Sequence, residues 1–244
     1  MKLRKSFICI LLLCIMSMAA TLLFTACKDG ESSSEGLKYV LSNDGSYYIV
    51  ADLGTCTDRN VEIASVYNDL PVKEICNNAF ADTDIKSVII PDSITKIGDS
   101  AFADCERLRT VTMGSGVTSI GFRAFSHCEL LKNVTLPESL ISVGESAFSY
   151  CSRLKTVTLG NNVVSIGDRA FAQCTRLTSV TIGRSVRYIG NHVVNGCTKL
   201  KSVKFETTNG WICNDVFVSA NDLSDPAVAA HYLMRPYTSA WSRK

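Results

Sequence analysis

The chain has 244 residues, with 25 Lys+Arg against 23 Asp+Glu, and a formal net charge of +2. That balance leaves no electrostatic footprint for nucleic acid. Hydrophobic residues make up 46% of the chain, enough for a substantial core, and its eleven cysteines pose the question of disulfide, metal or thiol chemistry.

Residues 1–26 read as an export signal. Lys2, Arg4 and Lys5 give a charged start, and Phe7 to Phe24 is largely apolar. Leu23-Phe24-Thr25-Ala26-Cys27 is similar to a bacterial lipobox, with Phe24 an unusual member. On that reading a lipid is placed on Cys27 and everything before it is removed. The alternatives are ordinary signal-peptidase cleavage or an uncleaved anchor. Loss of residues 1–26 leaves 22 Lys+Arg and 23 Asp+Glu, so the mature charge is −1. Residues 27–36 are Ser/Glu/Gly-rich and read as a flexible, lipidated tether.

Residues 37–74 carry strand-like runs at Tyr47-Tyr48-Ile49-Val50 and Val61-Glu62-Ile63, with turn signals at Asn43-Asp44-Gly45 and Asn68-Asp69. They are predicted to form an N-terminal β cap. From residue 75 to 207 one phrase recurs every 23 residues: Ile-Gly-x-x-Ala-Phe-x-x-Cys-x-x-Leu-x-x-Val. It begins at Ile97, Ile120, Ile166 and Ile189, with Val143 in the same slot, and a looser copy begins at Ile75. A fixed period of this length predicts a solenoid, each repeat one coil stacked on the last.

Within a repeat, Asn133-Val134-Thr135-Leu136 alternates with period two and predicts a strand with Val134 and Leu136 facing inward. Pro137 ends it; Pro91, Gly114, Gly160 and Gly183 hold the same corner elsewhere. The glycines after the isoleucine slot imply positive φ or close backbone approach. The Ala-Phe segment is expected to form a short helical or 3₁₀ turn on the opposite side. Stacking then gives one parallel sheet over ladders of Val, Phe and Cys. After Phe205 the repeat stops. Residues 208–244 are predicted to be a C-terminal cap, with a helix starting at Ser224-Asp225-Pro226 and with Trp211, Tyr232, Leu233, Tyr237 and Trp241 packing on the last coil.

The repeat resembles the BspA-like leucine-rich repeats of bacterial surface proteins, over roughly Ile75 to Phe205. The resemblance implies a right-handed, β-dominated α/β leucine-rich-repeat solenoid and a surface or secreted setting, with adhesion among the roles of such proteins. The first repeat departs from the pattern, with Cys76 in the glycine slot and Ile85 near the missing cysteine. The last uses Val193 and Val194 for Ala-Phe.

No cofactor, metal site or enzymatic activity is expected. Cys105, Cys128, Cys151, Cys174 and Cys197 recur at 23 residues, unlike the close pairs of a zinc site, and read as small buried partners. Cys56 and Cys76 are a conceivable disulfide in an exported cap. His127, His192 and His231 are the only histidines, and no hydrolase or phosphate-loop motif accompanies them.

The outward positions carry the candidate ligand-binding residues. Thr112, Thr135, Thr158 and Thr181 form one column, ending in Lys204. Arg109, Lys132, Lys155 and Lys201 form a second, interrupted by Thr178. Arg107, Arg153, Arg176 and Lys199 form a third, with Leu130 as the exception. A soluble strand face accounts for the threonines. Two basic columns on a nearly neutral chain point instead to an anionic partner. The expected function is a membrane-anchored, non-catalytic surface module binding an extracellular protein. Binding of a polysaccharide or other anionic polymer is the alternative.

Overall fold

The computed structural model describes residues 33–234 and 240–243. The export signal, Cys27, most of the tether and Tyr237 lie outside the described residues. Ser34 is buried, and its amide donates to the Glu62 carbonyl at 2.9 Å, so the packed cap begins ahead of Leu37.

The period-two segments are strands, and stacking puts them in register. Val61, Val88, Val111 and Val134 are parallel partners along one sheet. Val157, Val180 and Val203 are partners along another. All seven are buried, while the residues beside them reach solvent. The expected single sheet is therefore divided between the strands Asn133–Val134 and Thr156–Thr158. The coils stay joined there by the Lys155 amide, which donates to the Lys132 carbonyl at 3.1 Å. Pro137 alone does not explain the break, since Pro91 at the same corner follows the full-length strand Ser87–Ile90.

A second parallel ladder runs along another side of the coils. It is built from Leu70–Ile75 and the two-residue strands Lys96–Ile97, Ser119–Ile120, Ser142–Val143, Ser165–Ile166 and Tyr188–Ile189. Each inward isoleucine or valine is buried. These strands are too short for alternation to reveal them in the sequence.

The Ala-Phe segment is not helical. It is a run of β-turns with left-handed residues at Ser100, Arg123, Ser146, Arg169 and His192, and again at Asp104, His127, Tyr150 and Gln173. Such φ values are uncommon for these residue types. Hydrogen bonds between coils hold them: Phe102 N–H donates to Ala124 O at 2.8 Å, and Arg123 N–H to Glu145 O at 2.9 Å. On this side amides donate to the following coil. On the strand sides amides donate in both directions, Gly121 N–H to Ile97 O of the preceding coil at 2.9 Å and Leu159 N–H to Thr181 O of the following one at 3.0 Å. The glycines Gly98, Gly121, Gly144, Gly167 and Gly190 are required by close approach, not by positive φ. A Cβ at Gly144 would sit 2.6 Å from the Gly121 backbone.

The phenylalanines stack through the interior. Successive ring centroids from Phe80 to Phe171 lie 5.0, 5.0, 5.2 and 5.6 Å apart, with interplanar angles of 1° to 9°. Beside them run the cysteines, buried and free of disulfides. They are more than apolar filler. Each thiol donates to the phenylalanine carbonyl of the preceding coil: Cys128 to Phe102, Cys151 to Phe125 and Cys174 to Phe148, all at 3.2 Å. The first repeat departs from this pattern, its bond falling within its own coil, while Phe80 O also accepts from Cys105 at 3.0 Å. Thr83 occupies the cysteine slot and donates to Phe80 O at 2.7 Å, while Ile85 is buried in the slot that leucine fills in later repeats.

Both ends close by a change of strand direction. At the start, Lys38–Leu41 runs antiparallel to Tyr48–Asp52, which continues the second ladder. At the finish, Trp241–Arg243 runs antiparallel to Tyr188–Ile189 and to Trp211–Cys213. Trp211 and Trp241 pack on Phe205, with centroids at 5.3 and 6.0 Å. Two helices, α1 (Ala220–Ser224) and α2 (Pro226–Met234), cover the main strand of the last repeat, Ser202–Phe205. As the sequence indicated, Pro226 opens α2, and the Asp225 carboxylate caps it by accepting from Ala227 N–H at 2.8 Å. Such ends shield the apolar faces and strand edges that an open stack would present.

Candidate ligand-binding face

The exposed side of the main strands is ordered by its backbone into columns. Ile89, Thr112 and Thr135 continue into Thr158, Thr181 and Lys204, the last three in direct register. Thr112, Thr135, Thr158 and Lys204 are exposed, and Thr181 is half-buried. A parallel column was not apparent from the repeat: Asn60, Ser87, Thr110 and Asn133, then Thr156, Ser179 and Ser202. Every member carries a hydroxyl or an amide. The face is thus two rows of neutral hydrogen-bonding groups, with Glu62, Ile89 and Lys204 the exceptions.

The basic residues flank these rows just before each strand. Arg109 N–H donates to Lys86 O at 2.8 Å, Lys155 to Lys132 O at 3.1 Å, Thr178 to Lys155 O at 2.8 Å and Lys201 to Thr178 O at 3.0 Å. Lys86 N–H in turn donates to Arg59 O. Arg59 and Lys86 therefore lengthen the column beyond the sequence reading. Counting one period back from Arg109 reaches Lys86; Arg59 lies in the cap, where no period reaches it. Arg107, Arg153, Arg176 and Lys199 are exposed beside this column.

Among the described residues little neutralises them. Asp84 pairs with Arg107 at 3.0 Å and Arg59 at 3.7 Å, and Glu206 pairs with Lys204 at 2.8 Å. Among the described residues Arg109, Lys132, Lys155, Arg153, Arg176 and Lys201 form no ion pair. Glu106 and Glu129, which offset the columns in composition, are exposed and form none with them either.

Comparison with known proteins gives this architecture a place. The BspA type leucine rich repeat region matches residues 73–201 in six copies, just over half of the chain. The chain belongs to that family. It is similar to the T. pallidum leucine rich repeat protein TpLRR, with 29% identity, a TM-score of 0.68, and coverage of 72% of this chain and 84% of that one. A Bacteroides ovatus leucine-rich repeat protein is also 29% identical, with a TM-score of 0.61, covering 74% of this chain and 48% of that one. The pneumococcal vaccine antigen PcpA is 27% identical, with a TM-score of 0.60, covering 73% and 50%. The chain spans about half the length of these last two. No curated protein matches it.

Leucine-rich-repeat proteins are in general binding modules without chemistry, and the interior columns have the character of structure. Burial pushes the Cys128 and Cys151 thiols well above their ordinary range, which leaves no thiolate for nucleophilic attack. Cys56 is buried, Cys76 exposed, and both are free thiols. Among the described residues no group of three or more His, Cys, Asp or Glu could hold a metal ion, and no helix is long and apolar enough to cross a membrane.

Proposed function

We propose that this BspA-type chain is a lipid-anchored, extracytoplasmic adhesion or protein-binding module, and that its ligand-facing surface is the exposed strand face with its basic columns. The observation that carries this reading is the column Arg59, Lys86, Arg109, Lys132, Lys155 and Lys201, aligned by backbone hydrogen bonds and largely without internal counter-ions. Parallel strands are about 4.8 Å apart, so stacked cations repel one another. A partner with an acidic surface relieves that repulsion through several contacts at once. Its contacts would include Arg107, Arg153 and Arg176 at the rim and Thr112, Thr135, Thr158, Thr181 and Lys204 on the face.

The row of hydroxyls and amides from Asn60 to Ser202 favours a second reading, an anionic polysaccharide laid along the columns. The two are separated by the partner recovered when the processed protein is used as bait on surface-exposed material. In either case binding weakens steeply with salt, because exposed charges are screened over about 8 Å at physiological ionic strength. The charge reversal Arg109→Glu, Lys132→Glu, Lys155→Glu is expected to abolish capture of that partner. Undiminished capture by the folded triple variant refutes the assignment of the face.

Anchoring rests on the charged start, the apolar run and the small residues before Cys27. Cys27→Ser is expected to leave the protein unprocessed or released from the membrane fraction. Unchanged metabolic lipid labelling of that variant overturns the anchor. Membership of the family, together with similarity to a pneumococcal vaccine antigen and to a leucine rich cell surface protein from Faecalibacterium prausnitzii, supports display at the cell surface.

A further inference from the structure

The turn side of the coils, away from the strand face, carries a cleft of about 340 Å³ spanning three successive repeats. Its floor is Ala172, a small buried residue between two columns of longer side chains. Ser146, Arg169 and His192 stand on one side, Tyr150 and Gln173 on the other, with Ser149 and Asn195 beside the floor. The volume lies at the small end of the range for ligand sites, roughly 300–1,000 Å³, so it suits one small unit and not a peptide.

Two features make it a shaped site. His127 stacks on Tyr150 with centroids 4.3 Å apart and an 11° interplanar angle. His127 belongs to the preceding coil, whereas the cleft is formed by Tyr150 and the two coils that follow. One ring face is thus covered, and Tyr150 remains 47% exposed where it lines the cleft. Gln173 is also positioned. A Cβ on Gly196 would fall 2.5 Å from its amide nitrogen, so the absent side chain at Gly196 is what allows that amide to lie there. The supporting backbone is tied across coils, with Tyr150 N–H donating to Ala172 O at 2.8 Å and Arg169 N–H to Asn191 O at 2.8 Å.

The chemistry is a phenol ring, an imidazole, two carboxamides, two hydroxyls and a single guanidinium that forms no ion pair among the described residues. A pyranose ring has the matching form: a C–H face that lies on an aromatic ring and a rim of hydroxyls that both donate and accept. The carboxamides supply both functions, and the guanidinium donates in a fork. A flat nucleobase would bury more apolar surface than this mainly polar lining offers. We infer that the cleft between Tyr150 and Asn195 is a binding subsite for a single pyranose unit of a glycan, separate from the basic strand face.

The test is titration of the full chain with methyl β-glucoside, N-acetylglucosamine, glucuronate and adenosine, followed by saturation-transfer NMR and calorimetry. Saturable binding of at least one pyranose is expected, with transfer to its C–H face. Tyr150→Asn, chosen because asparagine tolerates the left-handed backbone at this position, weakens it about tenfold. Gly196→Ala, which displaces Gln173, weakens it about threefold or more. The charge reversal of Arg109, Lys132 and Lys155 leaves it unchanged, so failure here and failure of the strand-face reading are distinguishable. Loss of glucuronate binding alone in Arg169→Gln assigns an acidic sugar; equal loss of the neutral sugars assigns a neutral one. No saturable pyranose binding, preference for adenosine, or binding that survives both Tyr150→Asn and Gly196→Ala overturns the inference.

Discussion

Inside the coil the period is met by near-identity. Phe80, Phe102, Phe125, Phe148 and Phe171 repeat through five coils before Val194 takes the slot, and five cysteines run beside them from Cys105 to Cys197. Outside, only chemical class persists: Ile89 heads the threonine column, Thr178 interrupts the lysines, and Leu130 breaks the arginines. The difference is one of available space. Stacked rings at 5.0 to 5.6 Å leave no room for another shape, and each thiol has one carbonyl to reach. An exposed side chain meets water wherever it turns. Interior repetition therefore reports the fold, while exterior repetition has to be explained by something else.

The comparison breaks first if an interior position proves tolerant. Phe148→Ala removes a fully buried ring with like neighbours on both sides, at a cost of about 3–5 kcal/mol. Thr158→Ala, ten residues on in the same repeat and exposed, costs about 0.5 kcal/mol or less. Urea midpoints measure both. Equal shifts would mean that inside and outside are exchanged.

Gly144→Ala comes next. Its Cβ would meet the Gly121 carbonyl group at 2.6 Å, so the coils must part, and overpacking of this kind costs about 1–3 kcal/mol. Gly160→Ala is the control. The nearest atoms there belong to the Glu138 carboxylate, at 3.1 Å, and that side chain can swing away. Thermal melts in which both substitutions are neutral would remove close approach as the reason for these glycines.

These positions also show what was legible in the sequence. Period, strand placement, buried ladders, the helix opening at Pro226 and membership of the family all followed from the residues. The two-residue strands did not, because Ser119-Ile120 offers no alternation to read. The turns are not legible either, because the Ala-Phe segment read by itself suggests a short helical turn. Their left-handed residues, arginine and tyrosine among them, are set by hydrogen bonds to the next coil, which no single repeat contains. Of the candidate site, the basic columns were visible by counting. Arg59 and the amide-hydroxyl row required the register of the cap strand Asn60–Glu62.

The thiol ladder predicts a pH dependence. Burial raises the Cys151 pKa in the folded state, whereas the unfolded thiol ionises near its ordinary value of about 8.5. Below that value both states hold the proton and stability is unaffected by pH. Above it the unfolded state loses its proton first, so stability falls as pH rises, by about 1.4 kcal/mol per pH unit for each such thiol. Cys151→Ala is expected to flatten the decline in urea midpoint between neutral and alkaline pH, although it is less stable at neutral pH through the lost bond to Phe125 O. Identical slopes for the two proteins would show that Cys151 ionises in place.

The smallest effect has the opposite sign. Arg109, Lys132 and Lys155 occupy one column and form no ion pair among the described residues, so replacing all three with glutamine removes repulsion and no favourable contact. The triple variant is expected to be more stable than the parent at low salt, by a few tenths of a kcal/mol, the scale of like-charge pairs on a surface. The gain should vanish at about 1 M salt, where screening acts over about 3 Å. Every interior substitution above destabilises; this exterior one is expected to stabilise. That sign separates a column retained for folding from one retained against folding, and repulsion kept in the free protein is what an anionic partner would remove. A loss of stability on glutamine substitution, unaffected by salt, would place the lysines among the supports of the fold and take away the physical basis for the ligand-binding face.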